Sequence, residues 1–233
     1  MHRRIYLMRH CEVDYFDSNG NPARFQDVPL NQHGFQQALE MRPLLEGVVF
    51  EKLFCSGLLR TVQTLQTVLG NDSVRPDYLQ DFREIEPSAI HPPPGKDLKL
   101  WEKDFLGSLG PGLTPESKFM GGETFGNFTS RVNKALDELL ADESWNCVLL
   151  VAHSVVNRWI LCRFLNLGLN GISALEQDAG CLNLIELPRE SPPFIRLLNY
   201  TPLDRAKATL RKNSLEMLLD KAHEAMRRRG KST

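Results

Sequence analysis

The stretch Arg4-Ile-Tyr-Leu-Met-Arg-His-Cys-Glu12 constrains this chain more than any other. Ile5 to Met8 is an apolar run of strand length and composition, and it stops abruptly at Arg9, His10 and Glu12. Such a run reads as a buried strand, with the charged trio standing where the strand leaves the sheet. Ligands of open α/β sheets bind beyond the carboxyl ends of the strands. A guanidinium, an imidazole and a carboxylate at that place therefore form a candidate site.

The arrangement returns later in the chain. Val148 to Ala152 is a second apolar run, and it ends at His153. If the two strands are neighbours, the two imidazoles face each other across one crevice. A third strand, Lys52 to Cys55, ends at Ser56. The helix after it, Leu58 to Leu69, carries Arg60 in its first turn and is stopped by Gly70 and Asn71. Arg60 and the free N–H groups of that helix start suit an anion.

Between these landmarks, Glu12 to Pro29 is a polar loop, expected as a rim or lid of the site. Asn31 caps a helix reaching about Glu46, with Phe35, Ala38, Leu39 and Leu45 on one face. Arg42 interrupts that face, and Pro43 is expected to kink the helix or end it early. Val74 to Ile85 is mixed and includes a short edge strand. Residues 87–122, broken by Pro92-Pro93-Pro94-Gly95 and Gly110-Pro111-Gly112, read as an insertion. Its helix, Leu98 to Leu106, carries Trp101 and Phe105, which either pin the insertion to the core or touch substrate. Thr124 to Leu140 and Val155 to Leu165 are helices. Cys181 to Leu187 and Phe194 to Leu198 form an antiparallel hairpin at the sheet edge. Residues 203–229 are helical, with Leu215, Leu218, Leu219, Ala222 and Met226 on one face. That face fits either the chain's own sheet or a second copy in a homodimer.

Apolar residues make up 42% of the chain, enough for a full core. Lys and Arg number 28 against 29 Asp and Glu, so nothing global marks a nucleic-acid or membrane-surface partner. Any preference for anions is local. The apolar run behind Met1-His2-Arg3-Arg4 is too short for a signal segment or a membrane span, which points to the cytoplasm. The five cysteines have no zinc or redox spacing, and only Cys11 borders the candidate site. No carboxylate-rich or His-rich cluster suggests a metal, so neither metal nor cofactor is expected.

Five segments occur in one order: Leu7-Met8-Arg9-His10-Cys11-Glu12, Ser56-Gly57-Leu58-Leu59-Arg60-Thr61-Val62-Gln63-Thr64, Phe82-Arg83-Glu84-Ile85, Gly121-Gly122-Glu123-Thr124 and Val151-Ala152-His153-Ser154. Together they resemble the motifs of the histidine phosphatase superfamily, phosphoglycerate mutase-like branch. The resemblance covers the catalytic scaffold well and the C-terminal part poorly. It implies a three-layer α/β/α sandwich around a mostly parallel sheet, as a single domain over 1–233 carrying the 87–122 insertion. It implies a metal-independent phosphatase acting on small phosphate monoesters through a phosphohistidine. In that scheme His10 attacks phosphorus, Arg9, Arg60 and His153 surround the phosphoryl oxygens, and Ser56 either donates to phosphate or caps its helix. Glu84 is the implied proton donor; Glu86, two residues on, is its rival, because both would point to the same face of an extended segment. Glu123 is implied near the site, though a helix N-terminal carboxylate explains it equally well. Glu12 is expected to orient Arg9 or nearby backbone.

Three positions depart from the family pattern. Cys11 and Ser154 stand where glycine usually follows each site histidine, and Phe16 replaces the asparagine of the mutase-type members; Asn19 is a weak substitute for it. A side chain at Cys11 would narrow the pocket or, given a low thiol pKa, serve as a redox switch. These departures argue against a glycolytic mutase. They leave a phosphatase first, with a catalytically impaired phosphate-binding protein or a mutase as alternatives. Specificity is expected in residues 13–29 and 87–122.

Overall fold

A computed structural model of the chain describes residues 2–93, 95–202, 207–209 and 212–231. A six-stranded sheet lies at its centre in the order β3-β2-β4-β1-β5-β6. The strands are β1 (Arg3–Arg9), β2 (Lys52–Cys55), β3 (Asp77–Tyr78), β4 (Cys147–Ala152), β5 (Leu182–Leu187) and β6 (Phe194–Tyr200). β1, β2, β3 and β4 are mutually parallel, and the β5–β6 hairpin adds antiparallel pairings along the other side of β1. The two His-ending strands are direct neighbours, with Arg9 beside Ala152.

The helices are α1 (Gln32–Leu45), α2 (Leu59–Leu69), α3 (Leu98–Gly107), α4 (Phe125–Ala141), α5 (Ser154–Leu165) and α6 (Ser214–Lys231). Alternate residues of each strand point to opposite faces, and the two faces hold separate cores. Ile5, Leu7, Val148 and Leu150 pack with Phe125, Phe128 and Val132 of α4 and Ile160 of α5. Met8, Leu149 and Val151 pack with Ala38 and Met41 of α1 and Leu65 and Val68 of α2. A three-layer α/β/α sandwich follows. Burial on both faces explains why β4 reads as an unbroken apolar run.

Several local expectations change. The buried stripe of α1 is Gly34, Ala38, Met41 and Leu45, while Phe35 and Leu39 are exposed. A β-carbon at Gly34 would come within 2.1 Å of the Glu12 carbonyl oxygen. The glycine thus lets α1 lie against the segment after β1, and that approach sets the helix's rotation. Pro43 does not end the helix, which continues to Leu45. Trp101 and Phe105 of α3 are buried in the core, so they pin the insertion.

The C-terminal helix begins at Ser214 rather than Leu203. Of the stretch before it, residues 203–206, 210 and 211 lie outside the described residues, and 207–209, 212 and 213 are not helical. Leu215, Leu219 and Ala222 of α6 join the chain's own core. The helix crosses above the carboxyl edge of the sheet. Lys221 bonds the Glu12 carboxylate at 2.9 Å, His223 bonds Glu102 of α3 at 2.8 Å, and Gly20 packs so closely on the Ala225 carbonyl that a β-carbon would stand 2.1 Å from it. Among the described residues no helix is long and apolar enough to cross a membrane.

Candidate active site

Parallel order places the ends of β1, β4 and β2 side by side, and each end delivers one polar residue. His10 follows β1, His153 follows β4 and Ser56 follows β2. The two imidazole rings lie edge to face with centroids 5.2 Å apart. His10, His153, Ser56 and Arg60 are all buried.

His10 Nδ1 lies 2.7 Å from the Cys11 carbonyl oxygen. A carbonyl only accepts, so Nδ1 carries the hydrogen and Nε2 keeps its lone pair. Burial, with Arg60 and Arg9 nearby, pushes the His10 pKa well below the usual histidine range. His153 is lowered likewise by burial, then by Arg60, His10 and Arg9. Its Nε2 is 2.8 Å from the Ser56 hydroxyl. Thr61 gives its hydroxyl hydrogen to the Leu58 carbonyl at 2.7 Å, and Ser56 lies 3.1 Å from Thr61. Ser56 therefore gives its hydrogen either to Thr61 or to His153 Nε2. His153 Nδ1 is buried without a protein partner.

The guanidinium groups are each tethered by one hydrogen bond. Arg9 Nη1 donates to the Gln177 carbonyl at 2.6 Å, and Arg60 Nη1 to the Phe25 carbonyl at 2.7 Å. Arg60 also lies 4.7 Å from the centroid of the Phe25 ring, and that ring stacks on Tyr15. Loop 13–29 thus steadies Arg60. Arg9 Nε and Arg60 Nε and Nη2 are buried without protein partners. Buried donors of this kind are costly unless something accepts from them. A phosphoryl group, with oxygens for several donors at once, suits them.

Glu84 lines the cleft with Arg9, accepting at 3.2 Å from the Val155 N–H in the first turn of α5. Burial raises its pKa above the usual carboxylate value, although Val155 N–H and Arg9 pull the other way. Glu86 is exposed. Arg131, which sequence reasoning missed, holds this segment in place. It donates to the carbonyls of Asp81 (2.7 Å), Arg83 (2.8 Å) and Glu84 (3.2 Å) while paired with both oxygens of Glu123. Glu123 in turn accepts from Glu86 N–H. Its place at the start of a helix explains only part of its role. The one signal of Arg131 was its seat on α4 eight residues after Glu123, which alone distinguishes nothing.

Arg131→Ala is expected to lower kcat for alkyl phosphates by up to ~10²-fold through misplacement of Glu84, with a much smaller change in KM. Steady-state kinetics check this, and Arg131→Lys should recover part of the loss. A change confined to KM would place Arg131 on the phosphate instead.

Other expected placements differ. Glu12 does not orient Arg9; its carboxylate bonds Asn31, His33 and Lys221. Burial alone would raise its pKa, but the bonds from His33 and Lys221 outweigh it and bring it to about 2. Cys11 points into the core between β1 and the α1–α2 layer, against Gly180, and its side chain does not narrow the cleft. Burial pushes its thiol to about 12, so it lacks the thiolate a redox switch needs. Ser154 does line the cleft. Phe16 packs against the core, and Asn19 is exposed in a turn. His2, His33 and His223 pair with Glu186, Glu12 and Glu102 away from the histidine pair.

The buried histidines also predict a pH dependence. Unfolded histidine titrates near ~6.5, whereas folded His10 stays neutral well below that. The unfolded chain therefore binds more protons, and stability falls as pH drops through that value. His10→Ala lacks this contribution. Denaturant melts should show the stability advantage of wild type over His10→Ala shrinking from pH 7.5 to 5.5.

Comparison with known proteins agrees with the fold and the motifs. Residues 5–201 match the histidine phosphatase superfamily (branch 1). Adenosylcobalamin/alpha-ribazole phosphatase of Escherichia coli K12 is 22% identical over 204 residues, which cover 84% of this chain and 95% of that protein. Fructose-2,6-bisphosphatase TIGAR of Xenopus tropicalis is 28% identical over 139 residues, 58% of this chain and 49% of that protein. Among solved structures, YhfR of Bacillus stearothermophilus superposes with a TM-score of 0.69 at 20% identity, covering 84% of this chain and 96% of that one. The chain belongs to the histidine phosphatase superfamily and is a phosphatase of that type. Helix α6 lies beyond the matched residues.

Proposed function

We propose that the protein hydrolyses small phosphate monoesters through a phosphohistidine on His10, with no metal. The observation that carries this reading is the His10 Nδ1 to Cys11 carbonyl bond of 2.7 Å, which leaves Nε2 as a neutral nucleophile beside two under-used guanidinium groups. Arg9 and Arg60 supply the charge that phosphoryl transfer demands. Their planar forks bind two oxygens each.

In the first step His10 Nε2 forms a bond to phosphorus as the P–O bond to the leaving group breaks. Glu84, protonated because burial raises its pKa, passes its proton to the leaving oxygen. A neutral alcohol departs and Glu84 is left as a carboxylate. In the second step water attacks phosphorus and Glu84 takes its proton. The N–P bond breaks, its electrons return to Nε2, and inorganic phosphate is released. With the Ser56 hydroxyl donating to Nε2, neutral His153 carries its hydrogen on Nδ1 and donates it to a phosphoryl oxygen. Ser56 keeps that ring in place.

The test is to quench the enzyme with substrate in the presence of a chelator and look for phosphate bound to protein. An acid-labile, base-stable phosphoryl group on the wild type, absent from His10→Ala, is expected. Turnover that disappears with the chelator and returns with a divalent cation would overturn the metal-independent mechanism. The impaired-protein alternative rested on the lost glycines, and Cys11 gives it no support because its side chain faces the core.

A further inference from the structure

We infer that the leaving group of the preferred ester is uncharged and apolar, and that Met120 together with helix α6 sets its size and charge. The inference rests on the proposed roles of His10 and Glu84. A general acid must reach the leaving oxygen, so the leaving group lies on the Glu84 side of the cleft. That side is walled by Ile90, Leu109, Phe119 and Met120 of the insertion and by Leu215 and Leu218 of α6. Ser154, Ser214 and Tyr15 add hydroxyl groups at its margin. Among the described residues lining it, the only charged ones are Arg9 and Glu84. Arg9 faces the phosphoryl group, and Glu84 repels a second anion whenever it is ionised. In the adjoining part of the cleft the one further cation among the described residues is Lys221, which is taken up by Glu12 at 2.9 Å and Asp14 at 3.5 Å. Among the described residues, a substrate with a second phosphate or a carboxylate near the ester would lose water there and find no counter-charge.

Met120 adds an independent observation. Its backbone is left-handed, with φ 45° and ψ 39°. Bulky side chains rarely adopt that region, and residues held there cluster at functional sites. The glycine that would sit there without cost follows immediately, at Gly121 (φ 75°). The chain instead places a flexible thioether at this point, and its side chain lines the cleft beside Phe119. Methionine adapts to irregular apolar and aromatic groups. The opposite wall, Leu215 and Leu218, comes from beyond residue 201, where the family match ends.

The experiment compares kcat/KM for benzyl phosphate, glycerol 3-phosphate and 3-phosphoglycerate, all alkoxide leaving groups. In parallel it measures binding of benzylphosphonate and phosphonoacetate, which cannot be hydrolysed. Benzyl phosphate is expected to exceed 3-phosphoglycerate by at least about tenfold, and benzylphosphonate to bind tighter than phosphonoacetate. Met120→Gly, which suits the left-handed backbone, should fold and narrow the benzyl-to-glycerol ratio. Leu218→Lys should raise the rate with 3-phosphoglycerate. Equal or better use of 3-phosphoglycerate, or phosphonoacetate binding as tightly as benzylphosphonate, overturns the inference. Turnover of none of the esters would instead sink the phosphatase reading, and the phosphonate affinities would still decide what the pocket accepts.

Discussion

His10→Ala is expected to lower phosphate release by at least ~10⁴-fold, the order of loss when the attacking group of a hydrolase is removed. The prediction follows from one local geometry. The Cys11 carbonyl holds Nδ1–H at 2.7 Å, and burial with Arg60 and Arg9 nearby keeps the ring neutral. In the proposed mechanism His153 meets a phosphoryl oxygen and Glu84 serves as the acid, so neither takes the place of that nitrogen. The arginines are untouched by the substitution, so the variant should still bind inorganic phosphate within a few-fold of wild type. Calorimetry on the folded variant measures this. Loss of phosphate binding together with turnover would make His10 part of the clamp rather than the nucleophile. Full activity in the variant would move the attack to another residue or to water.

Glu84→Gln should cost about 10²- to 10⁴-fold on alkyl phosphates and far less on p-nitrophenyl phosphate, whose phenoxide leaves without a proton. The amide can still accept from Val155 N–H, so the segment keeps its place. The pH profile carries the sign. Burial raises the Glu84 pKa, and the first step needs its protonated form. For alkyl esters, kcat/KM should therefore fall as pH rises through that raised pKa, and the variant should lose this limb. Equal losses on both classes of ester would remove Glu84 from the proton transfer. The same experiment on Glu86→Gln is expected to give activity near wild type, because Glu86 is exposed.

The parts legible in the sequence share one property: they are encoded within a few residues of themselves. β1 and β4 announce themselves as apolar runs because both faces of a central strand are buried. The polar residues that end them must then lie at the sheet's edge. The Asn31 cap on the Gly34 N–H, at 2.7 Å, is equally local. The five motifs extended this to Arg60 and Glu84.

Helix rotation, by contrast, is not legible in the local pattern. Phe35 and Leu39 look like core residues, yet the close approach at Gly34 turns them outward. Cys11, two residues from Arg9, faces the other side of the sheet from what its neighbourhood suggested. Arg131 lies 47 residues from the Glu84 carbonyl it binds, so no local pattern could reveal it.

Sequence alone determined the strands, the order of the motifs and the residue types gathered at the carboxyl edge, because burial on both faces of a strand leaves a local imprint. Tertiary structure alone decided which face α1 buries, where the Cys11 thiol points, and that a helix beyond residue 201 walls the site. Those outcomes depend on contacts between segments far apart in the chain, and such contacts are set by how the layers pack.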